Sequence, residues 1–194
     1  MSTGAGAGED RRERAGDAAG SPAERTGLLG LGSNVGDRRA HLQAAVEAIA
    51  GAGIVVRASS SVYDTDPVGE VLEQPSFLNA CVLVETALEP LALLDTVKEL
   101  EARLGREAGG TRHGPRAIDI DVLMLGVLEL RHERMTLPHE QLLSRRFVLI
   151  PAVELDAGLK APDGTRLADA LAGLDVSEGV RWAGPPLACP APRP

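Results

Sequence analysis

Residues 112–125 read RHGPRAIDIDVLML, and few structures satisfy the second half of that run. Asp119 and Asp121 alternate with Ile118, Ile120 and Val122, which is the period of a strand. Both carboxylates therefore share one face and the branched apolar side chains the other. The isoleucine face demands a core, and the acid face demands water or cations, because an unpaired buried carboxylate is costly. Pleated geometry sets the two aspartate Cα atoms roughly 6.6 Å apart, close enough for both acids to converge on one or two hard cations. Arg112 and Arg116 come just before, on a segment that Gly114 and Pro115 mark as loop. A bare D-x-D is most often a solvated acidic face. Here the adjoining arginines and the nearly continuous apolar strand favour phosphoryl-transfer equipment, with acids for magnesium and guanidiniums for phosphate.

The 194 residues suit one domain, and 44% hydrophobic composition gives it a core to bury. A formal charge of -8 argues against nucleic acid or an anionic membrane as the main partner. No long apolar run and no signal-peptide pattern is present, so the expectation is a soluble, cytoplasmic protein with no membrane association. Cys81 falls in a strand-like run and Cys189 in a Pro-rich stretch, and neither reads as half of a disulfide framework or metal knuckle. The only lysines are Lys98 and Lys160, and neither follows a Gly-rich loop. That excludes a P-loop lysine and leaves arginine and metal to hold any triphosphate. The aromatics are Phe77, Phe147, Tyr63 and Trp182, so a planar ligand could stack in very few places.

Along the chain, residues 1–25 are rich in Gly, Ala, Ser and charge without apolar period and read as a disordered tail. A domain is expected over 26–183 and a Pro-rich tail, which need not fold, over 184–194. Within the domain a strand at 27–31 precedes a helix over 38–50 that Asp37 can cap, with Leu42, Ala45, Val46 and Ile49 on one face. The β-branched run 54–63 reads as a strand, 64–76 as a loop, and 77–86 as a strand with Phe77, Asn79, Cys81 and Leu83 on one face. Pro90 opens a helix reaching 104, striped by Leu93, Val97, Leu100 and Leu104. A Gly-rich loop over 107–115 leads into the D-x-D strand. A short strand over 133–137 follows, and segments 147–155 and 167–174 should add material at the sheet edge. The order strand-helix-strand-strand-helix-strand predicts an α+β, ferredoxin-like βαββαβ antiparallel sheet with helices on one side and C-terminal additions.

Several stretches together resemble the 6-hydroxymethyl-7,8-dihydropterin pyrophosphokinase family. They are LGLGSNVGDR (29–38), YDTDPVG and QPSFLNA (63–80), LGR (104–106), RHGPRAIDID (112–121) and LPHEQLLSRRFVLIP (137–151). The resemblance covers roughly residues 27–163, in the family's order and spacing. It implies transfer of the β,γ-pyrophosphoryl group of ATP to the hydroxymethyl oxygen of the dihydropterin, with release of AMP. ATP would bind first, and the two Gly/Pro-rich loops would then close. Two Mg²⁺ ions are implied at Asp119 and Asp121, where metal bridging can polarise the hydroxyl and neutralise charge on the transferring group. Arg106 and Arg116 match phosphate-contacting positions, with Arg112 a third; His139 and Arg145 match a basic wall, and Arg134 and Thr136 positions near adenine and ribose. Phe77 and Phe147 fall where the family sandwiches the pterin ring. Asn79 offers an amide to the pterin's amide edge. Gly32, Thr65 and Val68 match further pterin contacts, and His113 stands on the loop expected to close over the ring.

The chain departs from the family's usual pattern at His113, where tryptophan is frequent, at Glu140, and at Asp66, where proline is frequent. The remaining candidates carry blander readings. Lys98 and Glu101 read as a surface pair, and Ser33 and Asn34 serve equally as helix-entry residues or ligand contacts. Tyr63 reads as core with its hydroxyl bonded, and Trp182 as packing for the C-terminal end. Two rival functions stay open: a two-metal nucleotidyl transferase or cyclase on the same fold, and a catalytically weak pterin- or nucleotide-binding protein that has kept the pocket. A nucleic-acid module would want exposed aromatics and a basic sheet, and the sequence offers neither.

Overall fold

The computed structural model describes residues 24–67, 74–105, 115–176 and 179–191. Val68, Arg106, Arg112 and His113 lie outside them, within 68–73 and 106–114. The elements run β1 (Arg25–Ser33), α1 (Arg38–Gly51), β2 (Val55–Ser59), β3 (Val62–Thr65), β4 (Phe77–Thr86), α2 (Pro90–Arg103), β5 (Asp119–Leu125), β6 (Leu130–His132), β7 (Met135–Leu137), α3 (Arg146–Leu155), α4 (Leu167–Gly173) and β8 (Val180–Gly184). The main sheet has the order β5-β1-β4-β3-β8 with β2 also on β4, and all its pairings are antiparallel. β6 and β7 form a separate hairpin. This is the expected ferredoxin-like α+β frame, with β8 as an added edge strand.

Local chemistry explains most boundaries. Asp37 caps α1 by accepting from the Ala40 N–H at 3.0 Å, and Pro90 sits at the first turn of α2, where no N–H is needed. The single strand expected over 54–63 is two strands. Ser60 donates its N–H to the Cys81 carbonyl at 2.9 Å and accepts the Cys81 N–H on its hydroxyl at 3.0 Å. Ser61 then turns its N–H and hydroxyl to the Glu154 carboxylate, at 3.0 and 2.7 Å. Side-chain hydrogen bonds from consecutive serines thus replace ladder bonds and break the run.

The sheet is covered on both faces, not on one. Leu42, Val46 and Ile49 of α1 and Leu93, Val97 and Leu100 of α2 bury against Leu29, Leu31, Val82, Val84, Ile120 and Val122. On the opposite face Leu28, Cys81 and Leu123 pack under Leu149 and Ala152 of α3 and Leu167 of α4. Segments 147–155 and 167–174, expected at the edge, are therefore a second layer, because the apolar side chains at that end of the second face need a lid. A bulge fixes the register of β1 against β5: Leu28 pairs with Met124 and Leu29 with Val122, leaving Leu123 as the extra residue. Trp182, expected to pack the C-terminal end, is instead 65% exposed on β8. Beyond residue 183, Leu187 is buried, and Gln43 of α1 exchanges hydrogen bonds with the Ala188 backbone at 3.0 and 2.9 Å.

Candidate active site

α3 and α4 leave the other half of their sheet face bare, and a cavity of about 540 Å³ opens there, a size suited to a small organic ligand. Its floor is three strands read across. Gly32 lies between Asn79 of β4 and Asp119 of β5, and Gly30 between Cys81 and Asp121. A Cβ at Gly32 would sit 3.0 Å from Asn79 Oδ1 and 3.9 Å from both Asp119 Cβ and Phe77 Cδ1. Glycine therefore keeps the floor open between the amide and the acids. Asn79 Nδ2 donates to Thr65 Oγ1 at 2.6 Å, which fixes the amide with its oxygen on the Gly32 side as an acceptor. Phe77 from β4 and Phe147 from the first turn of α3 both line the cavity.

The acidic end rests on edge strand β5. The alternation read from sequence holds: Ile118 and Ile120 are fully buried against α1 and α2, and Asp119 and Asp121 line the cavity. Burial, with the Asp119 charge behind it, pushes the Asp121 carboxyl up from its ordinary range, while Lys98, His139 and Arg116 pull against that rise. Arg116 Nη1 meets Asp119 Oδ2 at 2.6 Å, and its guanidinium carbon stands 5.9 Å from the Phe77 centroid. Arg116 Nε is buried without a hydrogen-bond partner among the described residues, a donor left over for an anionic ligand. His139 accepts the Gln141 N–H on Nδ1 at 3.2 Å, which leaves Nε2 as the ring nitrogen that can donate to a ligand. Arg145 completes this wall.

Among the described residues no group of three or more His, Cys, Asp or Glu side chains forms a ready metal cage. Two carboxylates on one face of β5, opening into the same cavity, suit Mg²⁺ all the same, because that ion keeps several waters and shares one or two protein acids with substrate phosphates.

Ten residues singled out by sequence line the one cavity: Gly32, Thr65, Phe77, Asn79, Arg116, Asp119, Asp121, His139, Arg145 and Phe147. Arg134 and Thr136 do not. Thr136 lies on β7, and Arg134, between β6 and β7, pairs with Asp95 of α2. Two residues given blander readings matter more than those readings allowed. Glu101 is 1% exposed, not half of a surface pair; one of its oxygens accepts the Ile120 N–H at 2.6 Å and the Lys98 ammonium at 3.0 Å. It thus fastens the outer edge of β5 between the two aspartates and holds Lys98 at the cavity wall. Burial pushes the Glu101 carboxyl up, against the pull of the Ile120 N–H and Lys98. Asn34, 2% exposed, accepts the Arg116 N–H at 2.8 Å and donates to Gln74 Oε1 at 3.0 Å, tying together the chain on either side of the cavity.

The family model described as 7,8-dihydro-6-hydroxymethylpterin-pyrophosphokinase (HPPK) matches residues 28–157. The chain belongs to this family. The HPPK match runs from β1 through α3 and takes in every residue of the cavity wall, whereas α4 and β8 lie beyond it. A Methylorubrum extorquens protein named 2-amino-4-hydroxy-6-hydroxymethyldihydropteridine pyrophosphokinase is 46% identical over 154 residues, covering 77% of this chain and 93% of its own. The Arabidopsis thaliana "Folate synthesis bifunctional protein" is 41% identical over 128 residues, and there the chain spans only 26% of its relative's length. Among solved structures, Plasmodium falciparum HPPK-DHPS with pterin and p-hydroxybenzoate shares the fold at a TM-score of 0.60 and 15% identity, covering 79% of this chain and 42% of that one. HPPK domains thus occur both alone and joined to other domains.

Proposed function

We propose that this HPPK-family enzyme transfers pyrophosphate from ATP to 6-hydroxymethyl-7,8-dihydropterin, a step of folate biosynthesis. The hydroxymethyl oxygen attacks the β-phosphorus, the bridge from α- to β-phosphorus breaks, AMP leaves, and the hydroxyl proton passes to solvent. One observation carries this reading: Asp119 and Asp121 open into the same cavity as Asn79, Gly32 and both phenylalanines, so an ion-dependent phosphate end and a flat-ring end share one chamber.

At the ring end, Phe77 and Phe147 supply apolar faces, and the fixed Asn79 oxygen accepts from the pterin amide edge. Thr65 is held by Asn79, and Gly32 lets the ring approach the sheet backbone. At the phosphate end, Arg116, His139 Nε2 and Arg145 offer donors to phosphate oxygens, and Arg116 is the planar fork best matched to them. Asp119 and Asp121 would hold Mg²⁺, two ions in this reading, and bound Mg²⁺ supplies charge neutralisation and polarisation of the attacking hydroxyl. Positioning and electrostatics then suffice, and no strong side-chain base is required. Arg106, Arg112, Arg134 and Thr136 belong to the proposed ATP site by family resemblance, and Val68 and His113 to the pterin site. The proposed partners are these small molecules, with no nucleic acid, and the proposed place is the cytoplasm; no helix among the described residues is long and apolar enough to cross a membrane.

Incubation with MgATP and the dihydropterin, followed by mass spectrometry, tests the reaction. AMP and a pterin diphosphate are expected. Release of pyrophosphate with a nucleotidylated or cyclic product would instead establish the two-metal nucleotidyl transferase or cyclase.

A further inference from the structure

Thr65 and Asp66 form the cavity wall beside Asn79, and they are held from outside the cavity by a strand beyond the reach of the family match. On β8, Arg181 stands directly opposite Asp64. Its Nη2 meets Asp64 Oδ1 at 3.2 Å and Asp66 Oδ1 at 2.6 Å, and its Nη1 reaches Asp66 Oδ2 at 3.4 Å. The other oxygen of Asp64 takes Arg38 Nη1 at 3.2 Å, and the same nitrogen donates to the carbonyl of Ser76, next to Phe77, at 2.8 Å. Asp66 also gives its backbone N–H to the Gly179 carbonyl at 3.2 Å. A Cβ on Gly179 would lie 2.1 Å from Asp66 Oδ2, so the Asp66 carboxylate rests on bare backbone beneath Arg181. The chain Ser76–Arg38–Asp64–Arg181–Asp66 therefore fastens the end of β3 to the start of β4, where Thr65 pairs with Phe77.

We propose that Arg181 is a positioning residue for the heterocycle end of the active site: by drawing Asp64 and Asp66 outward onto β8 it sets Thr65, and through Thr65 the Asn79 amide. This rests on the pyrophosphokinase reading and adds to it a determinant of pterin affinity supplied by β8. Without the guanidinium, Asp64 keeps Arg38 while Asp66 loses its ion pair, and the Asp66 carboxylate can turn into the cavity it lines.

The test is Arg181→Gln in the full chain, assayed for turnover and, by calorimetry, for binding of 6-hydroxymethyl-7,8-dihydropterin. The KM and Kd for the dihydropterin should rise roughly three- to tenfold, as expected for losing two partly exposed ion pairs, with KM for ATP and kcat unchanged. The difference from wild type should narrow as salt approaches 1 M, Arg181→Lys should recover most of the affinity, and Asp66→Asn should weaken the effect of Arg181→Gln when the two are combined. A dihydropterin KM within twofold of wild type, or equal losses for both substrates, overturns the proposal while leaving the activity standing. A wild-type protein that neither binds nor converts the dihydropterin overturns both.

Discussion

Replacing Asp121 by asparagine sets the stability of the fold against its chemistry, and the two should move in opposite directions. Strand geometry puts the Asp119 and Asp121 Cα atoms about 6.6 Å apart, and at an effective dielectric of about 20 two unit charges at that separation repel by about 2.5 kcal/mol. Arg116 on Asp119 offsets part of this, leaving about 1–2 kcal/mol held against the metal-free fold. The sign follows from the direction of the shift. Burial and the neighbouring acid raise the Asp121 pKa above its unfolded value. Its contribution is therefore intact below the unfolded pKa, is lost as pH rises through the folded one, and stays lost above it. Asparagine is nearly isosteric and carries no such penalty. In EDTA at pH 8 the Asp121→Asn protein should melt about 2–8 °C above wild type, with the gap closing toward pH 4. Turnover should fall by about 10³, equivalent to about 4 kcal/mol of lost metal-assisted stabilisation of the transition state. MgCl2 with a non-hydrolysable ATP analogue should raise the melting temperature of wild type and not of the variant. A variant that melts below wild type at pH 8 would show that Asp121 does not strain the metal-free fold, and one that turns over at a comparable rate would show that it does not hold the ion.

Asp119→Ala should likewise fold and lose most turnover, and limiting Mg²⁺ should not restore a near wild-type rate; steady-state assays against Mg²⁺ concentration check this. Gly32→Ala places a methyl 3.0 Å from Asn79 Oδ1, so the dihydropterin KM should rise about tenfold while the urea midpoint moves little. Glu101→Ala strips the Ile120 N–H of this acceptor and should cost about 1–3 kcal/mol of stability by urea denaturation, with Glu101→Gln losing less because its amide oxygen still accepts. Phe77→Ala should weaken dihydropterin binding more than ATP binding, read by calorimetry with each ligand separately.

The sheet was legible wherever the apolar period agreed with the pairing. The limits of β4 match the sequence reading, α1 and α2 end within one residue of it, and the D-x-D alternation holds across β5. What escaped had a weaker or misleading local signal. β8 is five residues with one glycine and one arginine, and only its pairing to β3 makes it a strand. The helix at 146–155 carries apolar residues on more than one side, which does not say whether it lies on a face or at an edge. The i, i+3 lysine gives Glu101 the look of a surface residue, although it stands four residues after Val97 on the buried stripe of α2. That position could have disclosed it. Arg181 lies far from every motif in sequence, and no local pattern links it to Asp66.

The bulge opposite Leu28 and Leu29 has a consequence for how the enzyme comes into being. The same face of β5 carries acids at one end and core at the other, so slipping the strand two residues along β1 would carry Asp121 to the seat of Leu123 under α3 in one direction, or set Leu123 in the seat of Asp121 in the other. With its extra residue locked at one place, the strand has a single seat. A misaligned molecule would forfeit its interior along with its chemistry, so quality control that removes the poorly folded also removes the inactive.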